Sequence, residues 1–340
     1  MIIVAAPNTD SATLVNLVTT AYDRQVRLSL RSVPMFRSAA TTKVVDQTHP
    51  GSSVVFSIHP EMAVATTALS DNNITDPTGV ALADVSRVTV TLKEYGNFTV
   101  VSKALREFAL DNNLDGNVAN LITYNLANSI DYVVRQVLYT TNNNLHVFAS
   151  TGALSVKTGA QLTTTGLGDT LVNTGVLTAN AIRYVVAKLR AKNVPTVDGQ
   201  NYVAFIHPSV AADFRAQTAT NGASAIWAAP HSFVDSEGIY AGEIGTFEGV
   251  RFIETPRVPA PGDILRDRAD ANNVTQAGYT TFVMGADALA EAVSEEFGVV
   301  LDGVVVDPLK RRMAIGWYGI AGWALFREDS LWAIKTTTAF

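Results

Sequence analysis

The chain has 340 residues, enough for a sizeable core, yet only 16% of them are charged, against roughly 25% in a typical soluble domain. So few charged residues would leave much of the surface of a free monomer uncharged, which favours a protein that forms large interfaces with other protein subunits. The absence of cysteine excludes disulfides and thiolate sites, and a net charge of −6 with scattered basic residues argues against strong nucleic-acid binding.

The first part of the chain predicts two extended features. Residues 1–48 show weak helical periodicity over Ala12–Tyr22 and then a polar stretch, which we interpret as an arm that neighbours would order. Ser53–Ile58 and Val85–Leu92 are enriched in Val, Ser and Thr, and turn residues lie between them, so we predict a two-stranded ribbon with a polar tip. Such a ribbon is marginal alone in water. We therefore expect that nothing in its own chain buries the arm or the ribbon.

The clearest helix follows the ribbon. Apolar residues recur at three- and four-residue spacing from Leu114 to Leu138, which predicts a long helical beam. Asp115 or Asn117 is the expected N-terminal cap, and the run of asparagines after Thr140 the expected end. The Gly- and Thr-rich stretch from Leu145 to Thr174 is expected to be loop with two short strands.

The second half alternates short strands and helices without internal repeats, which predicts an α+β or α/β domain. His207-Pro208-Ser209 is expected to end a buried strand and begin a helix. The predicted helices are Thr178–Lys192 with a Thr178 cap, one after Ser209 that carries Val210 and Phe214, and Ala288–Val293. The predicted strands are Tyr202–Ile206, Gly249–Glu254, Thr280–Met284, Val299–Val306, Met313–Leu325 and Leu331–Thr337.

Membrane insertion is not expected. The longest apolar stretch without charge, Met313–Phe326, is shorter than the roughly 20 residues that a spanning helix needs, and it is rich in glycine. Met1–Pro7 is apolar but lacks the basic flank and the length of a signal peptide. We therefore expect a protein that is made in a cytoplasm.

The familiar motifs of catalysis do not occur in the sequence. There is no phosphate-binding loop, nucleophile elbow or zinc-protease motif. Gly242, Gly245 and Gly249 are wrongly spaced for a dinucleotide fingerprint and are interpreted as turns. No two of the five histidines have helical metal-ligand spacing, and Glu295-Glu296 is interpreted as a solvated face. No catalytic, cofactor-binding or metal-binding residue is predicted, although distant residues could still assemble a site.

Three segments resemble the major capsid proteins of tailed bacteriophages. They are YVAFIHPSVAADFRAQT (Tyr202–Thr218) followed by Trp227, GIYAGEIGTFEGVRFIETPR (Gly238–Arg257) and DPLKRRMAIGWYGIAGWALFREDSLWAIK (Asp307–Lys335). The resemblance is specific over roughly residues 178–340, and over the first half it rests on the order of arm, ribbon and long helix.

The resemblance implies the α+β HK97-like capsid fold (Hong Kong 97 type). Its parts would be an N-terminal arm over residues 1–48, an extended β-ribbon loop over 49–98 that overlaps a neighbouring subunit, a peripheral domain over 99–177 and 306–340 with a long spine helix over 117–140, and an axial domain over 178–305. The implied function is that of a structural subunit, not an enzyme, whose pentamers and hexamers form an icosahedral shell.

That shell would enclose double-stranded DNA without sequence-specific binding, and no cofactor is implied. The expected partners are the chain itself, a separate scaffolding protein (since no heptad run precedes the arm), a portal and a decoration protein. The expected location is the virion, after assembly in the cytoplasm of a bacterial host. Two alternatives stay open at this point: an encapsulin-like nanocompartment shell, and a cytoplasmic hydrolase or transferase with a dispersed site.

Overall fold

A computed structural model describes residues 35–44, 52–64, 66, 84–108, 114–147, 154–157, 175–216, 243–266, 273–275, 278–303 and 311–338. The helical periodicity over Ala12–Tyr22 and the tip of the ribbon lie outside these residues. The described chain is mixed α and β, in agreement with the α+β prediction.

The helices are α1 (Lys103–Phe108), α2 (Leu114–Tyr139), α3 (Ala179–Ala191) and α4 (Pro208–Ala216), with 3-10 turns at Phe36–Ala39 and Glu328–Ser330. The strands are β1 (Ala40–Val44), β2 (Ser53–Ile58), β3 (Ser86–Thr91), β4 (Lys93–Ser102), β5 (Asn144–Val147), β6 (Leu154–Lys157), β7 (Tyr202–Ile206), β8 (Glu243–Phe247), β9 (Val250–Glu254), β10 (Ile264–Arg266), β11 (Asn273–Thr275), β12 (Tyr279–Met284), β13 (Leu289–Gly303), β14 (Arg312–Leu325) and β15 (Leu331–Thr336).

The described strands form two larger sheets and two ribbons. A seven-stranded sheet has the order β6-β5-β15-β12-β7-β9-β8, and a four-stranded sheet has the order β1-β13-β14-β4. The pairs β2–β3 and β10–β11 form two-stranded sheets. The antiparallel pairing of β2 with β3 confirms the predicted ribbon, and β2 has the predicted bounds.

The seven-stranded sheet is buried on both faces, which explains why β7 is an unbroken apolar run. Tyr202, Ala204 and Ile206 face a core shared with α3 and α4. Val203 and Phe205, at the alternate positions, face a second core shared with α2. The fold is therefore layered, with α3 and α4 on one side of this sheet and α2 and the four-stranded sheet on the other.

The long helix α2 confirms the predicted beam. Its apolar face packs between the two large sheets, through Ile122, Ile130, Val134 and Leu138. The helix begins at Leu114, so the predicted caps Asp115 and Asn117 are wrong, because both residues lie inside its first turn. No helix among the described residues is long and apolar enough to cross a membrane.

The helix α3 confirms its predicted start. The Thr178 side chain accepts a hydrogen bond from the Ala181 N–H at 3.3 Å, as an N-cap does. Buried Val210 and Phe214 confirm the inward face of α4.

The predicted helix over Ala288–Val293 is wrong, because Leu289 begins the long strand β13. The segment also has a period of two. Leu289 and Val293 face the core shared with α2, whereas Ala290 and Ala292 face the β2–β3 ribbon. β13 pairs with β1 on one side and β14 on the other, and these ladders override the helix propensity of alanine.

The expectation that nothing in its own chain buries the arm or the ribbon is also wrong for their described parts. Phe36, at the end of the predicted arm, is fully buried in the core shared with α2. Phe56 and Val90 of the ribbon are buried against the four-stranded sheet. Both features are therefore anchored at their bases.

Candidate assembly surfaces

The base of the β2–β3 ribbon packs on the outer face of the four-stranded sheet. Val90 is fully buried there, and Phe56 packs on Phe326 with ring centroids 5.6 Å apart. A Cβ at Gly322 of β14 would collide with the Thr91 carbonyl oxygen and with Val90. Glycine at this position therefore permits the close approach of the ribbon backbone to the sheet.

Beyond the ribbon, no described residue forms a layer over the same face of the sheet. Cross-strand partners share a face, and the register aligns Phe98 of β4 and Val300 of β13 with Gly316 of β14. Phe98 is 69% exposed and Val300 47% exposed. Exposed large apolar side chains that cluster in this way mark a contact surface for protein. We call this cluster the open patch; it consists of Phe98, Val100, Val300 and Tyr318.

The described end of the predicted arm is fixed to the body of the subunit. The ring of Phe36 makes edge-on contacts with Phe205 and Phe282, with centroids 5.0 and 6.3 Å apart. The backbone N–H groups of Met35 and Phe36 donate to Oδ1 of Asp131 at 3.0 and 2.7 Å. The chain then enters β1, which pairs in parallel with β13.

The carboxylate of Asp131 also holds the segment after β9. Its Oδ2 accepts from Nε of Arg257 at 2.5 Å. One turn further along α2, Arg135 donates to the Arg257 carbonyl oxygen at 2.9 Å and to Oδ2 of Asp263 at 3.0 Å. Asp131 is almost fully buried, so these are charge-assisted bonds in a low dielectric. The helix α2 therefore ties the described end of the predicted arm to the 257–263 segment.

A second buried carboxylate fixes the residue that follows Phe36. Nε of Arg37 donates to Oε1 of Glu291 at 2.6 Å, and Nε1 of Trp323 donates to the same oxygen at 3.1 Å. Glu291 lies on β13, and its side chain is almost fully buried. A charged residue is tolerated there because donors from two other elements satisfy it.

The sequence gives no local signal for these two buried carboxylates. Asp131 lies in the segment predicted as the long helix, and Glu291 lies in the segment predicted as the helix Ala288–Val293. Their partners are remote, since Phe36 and Arg257 are 95 and 126 residues from Asp131 in sequence.

The described residues contain no group of three or more His, Cys, Asp or Glu side chains that could hold a metal ion. A groove of about 820 Å³ lies between the ribbon base and α2, over Tyr95 and Trp323, and neither a histidine nor a carboxylate lines it. Glu295 and Glu296 are exposed, as predicted.

His207 lies where the sequence predicted, between β7 and α4. Its Nδ1 accepts from the Ser209 N–H at 3.2 Å, and its ring lies 4.6 Å from that of Tyr279. Burial lowers the pKa of His207, and the nearby charge of Asp263 opposes this shift. The neutral ring thus satisfies a backbone donor at the start of a helix, which is a structural role.

The glycines of the GEIGTFEG run differ in their roles. Gly249 lies in the turn between β8 and β9 at φ +78°, as the prediction of a turn requires. Gly245 lies inside β8, where the ladder has an irregularity, so the prediction of a turn there is wrong. Gly242 lies outside the described residues.

Solved capsid structures resemble this chain over 95–98% of its length. The capsid of cyanophage P-SCSP1u matches with a TM-score of 0.64 at 13% identity, over 95% of this chain and 94% of that one. The acid-stable capsid of Helicobacter pylori bacteriophage KHP30 gives 0.63 at 13%, over 98% and 100%. Cyanophage Pam1 gives 0.61 at 12%, over 98% and 99%. The fold is therefore the HK97-like capsid fold.

A family described as phage capsid protein matches residues 11–329, and the chain belongs to that family. It is a structural subunit of a self-assembling shell, located in the capsid of a virion, and not an enzyme. No curated protein matches the chain in sequence.

Proposed function

We propose that the chain is the major capsid protein of a tailed phage, and that its pentamers and hexamers tile an icosahedral shell around double-stranded DNA. The observation that carries this proposal is the exposed apolar surface of the ribbon and of the open patch. Neighbouring copies of the chain would bury these exposed apolar surfaces in the assembled shell. The charged share of 16% fits a subunit that buries much of its surface in contacts with other subunits. The net charge of −6 fits a protein that encloses DNA without sequence-specific contacts.

We also propose the division implied by the resemblance: arm 1–48, extended loop 49–98, peripheral domain 99–177 with 306–340, and axial domain 178–305. The arm and the ribbon would be the parts that adjust when one chain occupies non-identical positions. The buried contacts of Phe36, Phe56 and Val90 support this proposal. They hold the base of each feature in the subunit, so that the parts beyond the base would be the ones that move. We further propose assembly in the cytoplasm of a bacterial host, with a separate scaffolding protein, a portal and a decoration protein as partners.

Electron microscopy of the expressed protein tests the proposal. We expect closed shells in negative stain when the chain is produced alone or with its scaffolding protein. Persistently compact monomers under every assembly condition would contradict it. Small uniform shells that co-purify with a bacterial enzyme would instead indicate an encapsulin-like nanocompartment.

Deletion of residues 60–85 tests the role of the ribbon. The shortened subunit should keep its cooperative unfolding transition, because the buried ribbon residues Phe56 and Val90 remain, but it should fail to close stable shells. Loss of the unfolding transition would show that the deleted segment belongs to the core of its own subunit.

A further inference from the structure

The outward face of α3 is basic and carries no acid. We call it the basic face; its cations are Arg183, which is partly exposed, and the exposed Lys188, Arg190 and Lys192. No residue from Thr170 to Val197 is acidic, although the chain has a net charge of −6. The helix dipole favours cations in the last turn, but it equally favours acids in the first turn, and α3 has none there. The dipole therefore does not account for the absence of acids.

The cations of the basic face lie on both sides of a strip of small residues. With 3.6 residues per turn, the two arginines lie along one edge of the exposed face and the two lysines along the other. Ala187 and Ala191 lie between these rows, and both are exposed. A polymer can therefore approach the helix backbone closely while positive charge lies on either side of it.

Two of the four cations have carboxylate partners in their own subunit. Nε of Arg183 donates to Oε1 of Glu248 at 2.9 Å. Nζ of Lys192 lies 3.6 Å from Oδ2 of Asp329, and both of these side chains are 62% exposed. An ion pair between such exposed groups is weak in water, so Lys192 can still bind another anion.

The other two cations have no carboxylate partner in the described part of the chain. Nζ of Lys188 lies 5.3 Å from the centre of the Tyr184 ring. The guanidinium group of Arg190 lies over Gly249 in the turn between β8 and β9, where a Cβ would be 3.1 Å from it. Most of the positive charge of the basic face is therefore not neutralised by these carboxylates.

The composition of the basic face does not suit contact with another subunit. Interfaces between proteins are depleted in lysine and alanine, which make up the exposed part of this face together with Arg190. The exposed apolar surfaces of the subunit, the ribbon and the open patch, belong to the four-stranded sheet, on the other side of the seven-stranded sheet from α3. Contacts to a phosphate backbone need lysine and arginine and no apolar centre. The face thus fits a polyanion better than it fits a second copy of the chain.

We propose that the basic face of α3 contacts the phosphate backbone of the enclosed double-stranded DNA. This inference rests on the proposed function and names the surface of the subunit that meets the DNA. Phosphate contacts carry no sequence information, in agreement with DNA that is enclosed without sequence-specific binding. Because each subunit offers few cations within an acidic chain, the binding of one subunit is weak and falls steeply with salt.

Binding of a short DNA duplex of random sequence to the unassembled subunit tests this contact, by fluorescence anisotropy over a series of NaCl concentrations. The triple variant Lys188→Gln, Arg190→Gln and Lys192→Gln removes three cations and keeps good helix formers. The logarithm of the affinity falls with the logarithm of the salt concentration by about 0.9 per phosphate contact. We therefore expect the slope of the triple variant to be shallower than that of the parent by about 2 to 3.

A matched control changes the net charge equally at other exposed positions. It carries Arg87→Gln, Lys93→Gln and Lys103→Gln, which lie on the ribbon, on β4 and at the start of α1. Its slope should equal that of the parent subunit. The urea midpoints of both triple variants should stay close to the parent value, because the substituted side chains are exposed.

A second variant adds an anion between the two rows of cations. Ala187→Glu should weaken duplex binding about threefold to fivefold at low salt, because the new carboxylate repels the phosphates. Ala187→Gln has nearly the same size without the charge and should bind as the parent does. Equal binding by the two variants would overturn the proposal.

The outcomes separate the DNA contact from the proposed function. Equal loss of slope in the two triple variants, or no salt-dependent binding by the parent subunit, would overturn the contact alone. Failure of the α3 triple variant to form shells at an unchanged urea midpoint would overturn it too, because the basic face would then lie between subunits. Failure of the unsubstituted protein to form shells would overturn the proposed function, whatever the duplex assay shows.

Discussion

Replacing Asp131 with alanine removes a carboxylate that two backbone N–H groups and one guanidinium group share. A buried donor left without an acceptor costs about 1–3 kcal/mol, and breaking a buried ion pair costs roughly 3–5 kcal/mol. These costs overlap because one side chain carries them all, and the Arg257 side chain stays 12% exposed. We therefore expect Asp131→Ala to lower the free energy of unfolding of the subunit by about 4 kcal/mol.

Urea unfolding of the unassembled subunit, followed by tryptophan fluorescence, measures this loss. Asp131→Asn keeps an oxygen for the N–H groups of Met35 and Phe36 but loses the charge that Arg257 faces, so its effect should be intermediate. Adding Arg257→Met to Asp131→Ala should recover part of the loss, because no guanidinium is left without its carboxylate. A loss below about 1 kcal/mol, or strict additivity of the two changes, would show that Asp131 and Arg257 do not form an energetically coupled pair.

Three further expectations concern the unassembled subunit. Gly322→Ala should lower its unfolding free energy by about 1–3 kcal/mol, because the new Cβ collides with backbone, whereas Gly298→Ala should change it by less than about 0.5 kcal/mol in the same urea assay. Burial lowers the pKa of His207 below its value in the unfolded chain, so the unfolded state binds the proton first. Stability should therefore be full above a pH of about 6.5 and fall as the pH drops below it, and His207→Gln should flatten that part of the curve. Trp317→Phe should cost about 0.5–1.5 kcal/mol in thermal unfolding, since it removes the hydrogen bond from Nε1 to Oδ1 of Asn125 at 2.9 Å. A pH profile of His207→Gln identical to that of the parent, or Gly322→Ala as stable as the parent, would show that the corresponding contact has no energetic role.

Elements whose own periodicity is strong were predictable from the sequence. The strand β7 has the predicted bounds because a strand buried on both faces is a short apolar run between turn residues. The helix α2 was found because its apolar face extends over many turns, although its start was misplaced by three residues relative to the predicted Asn117. Both signals are local.

The remaining features depend on partners that are distant in sequence. The segment over Ala288–Val293 fits either period, and pairing with β1 and β14 decides it. The cluster at Asp131 requires Phe36 and Arg257, and no pattern in the sequence near Asp131 predicts its contact with these two residues. The open patch could not be predicted from the sequence either. It depends on the pairing of β4, β13 and β14, which places its residues on one face, and on how much of that face the base of the ribbon covers.

A cryo-EM reconstruction of assembled particles would show directly whether copies of this chain build the shell. We expect a closed shell in which copies of this chain surround five-fold and six-fold positions. In that shell neighbouring copies of the chain should cover the open patch of each subunit. Particles without closed shells, or shells in which the open patch faces solvent, would contradict this expectation.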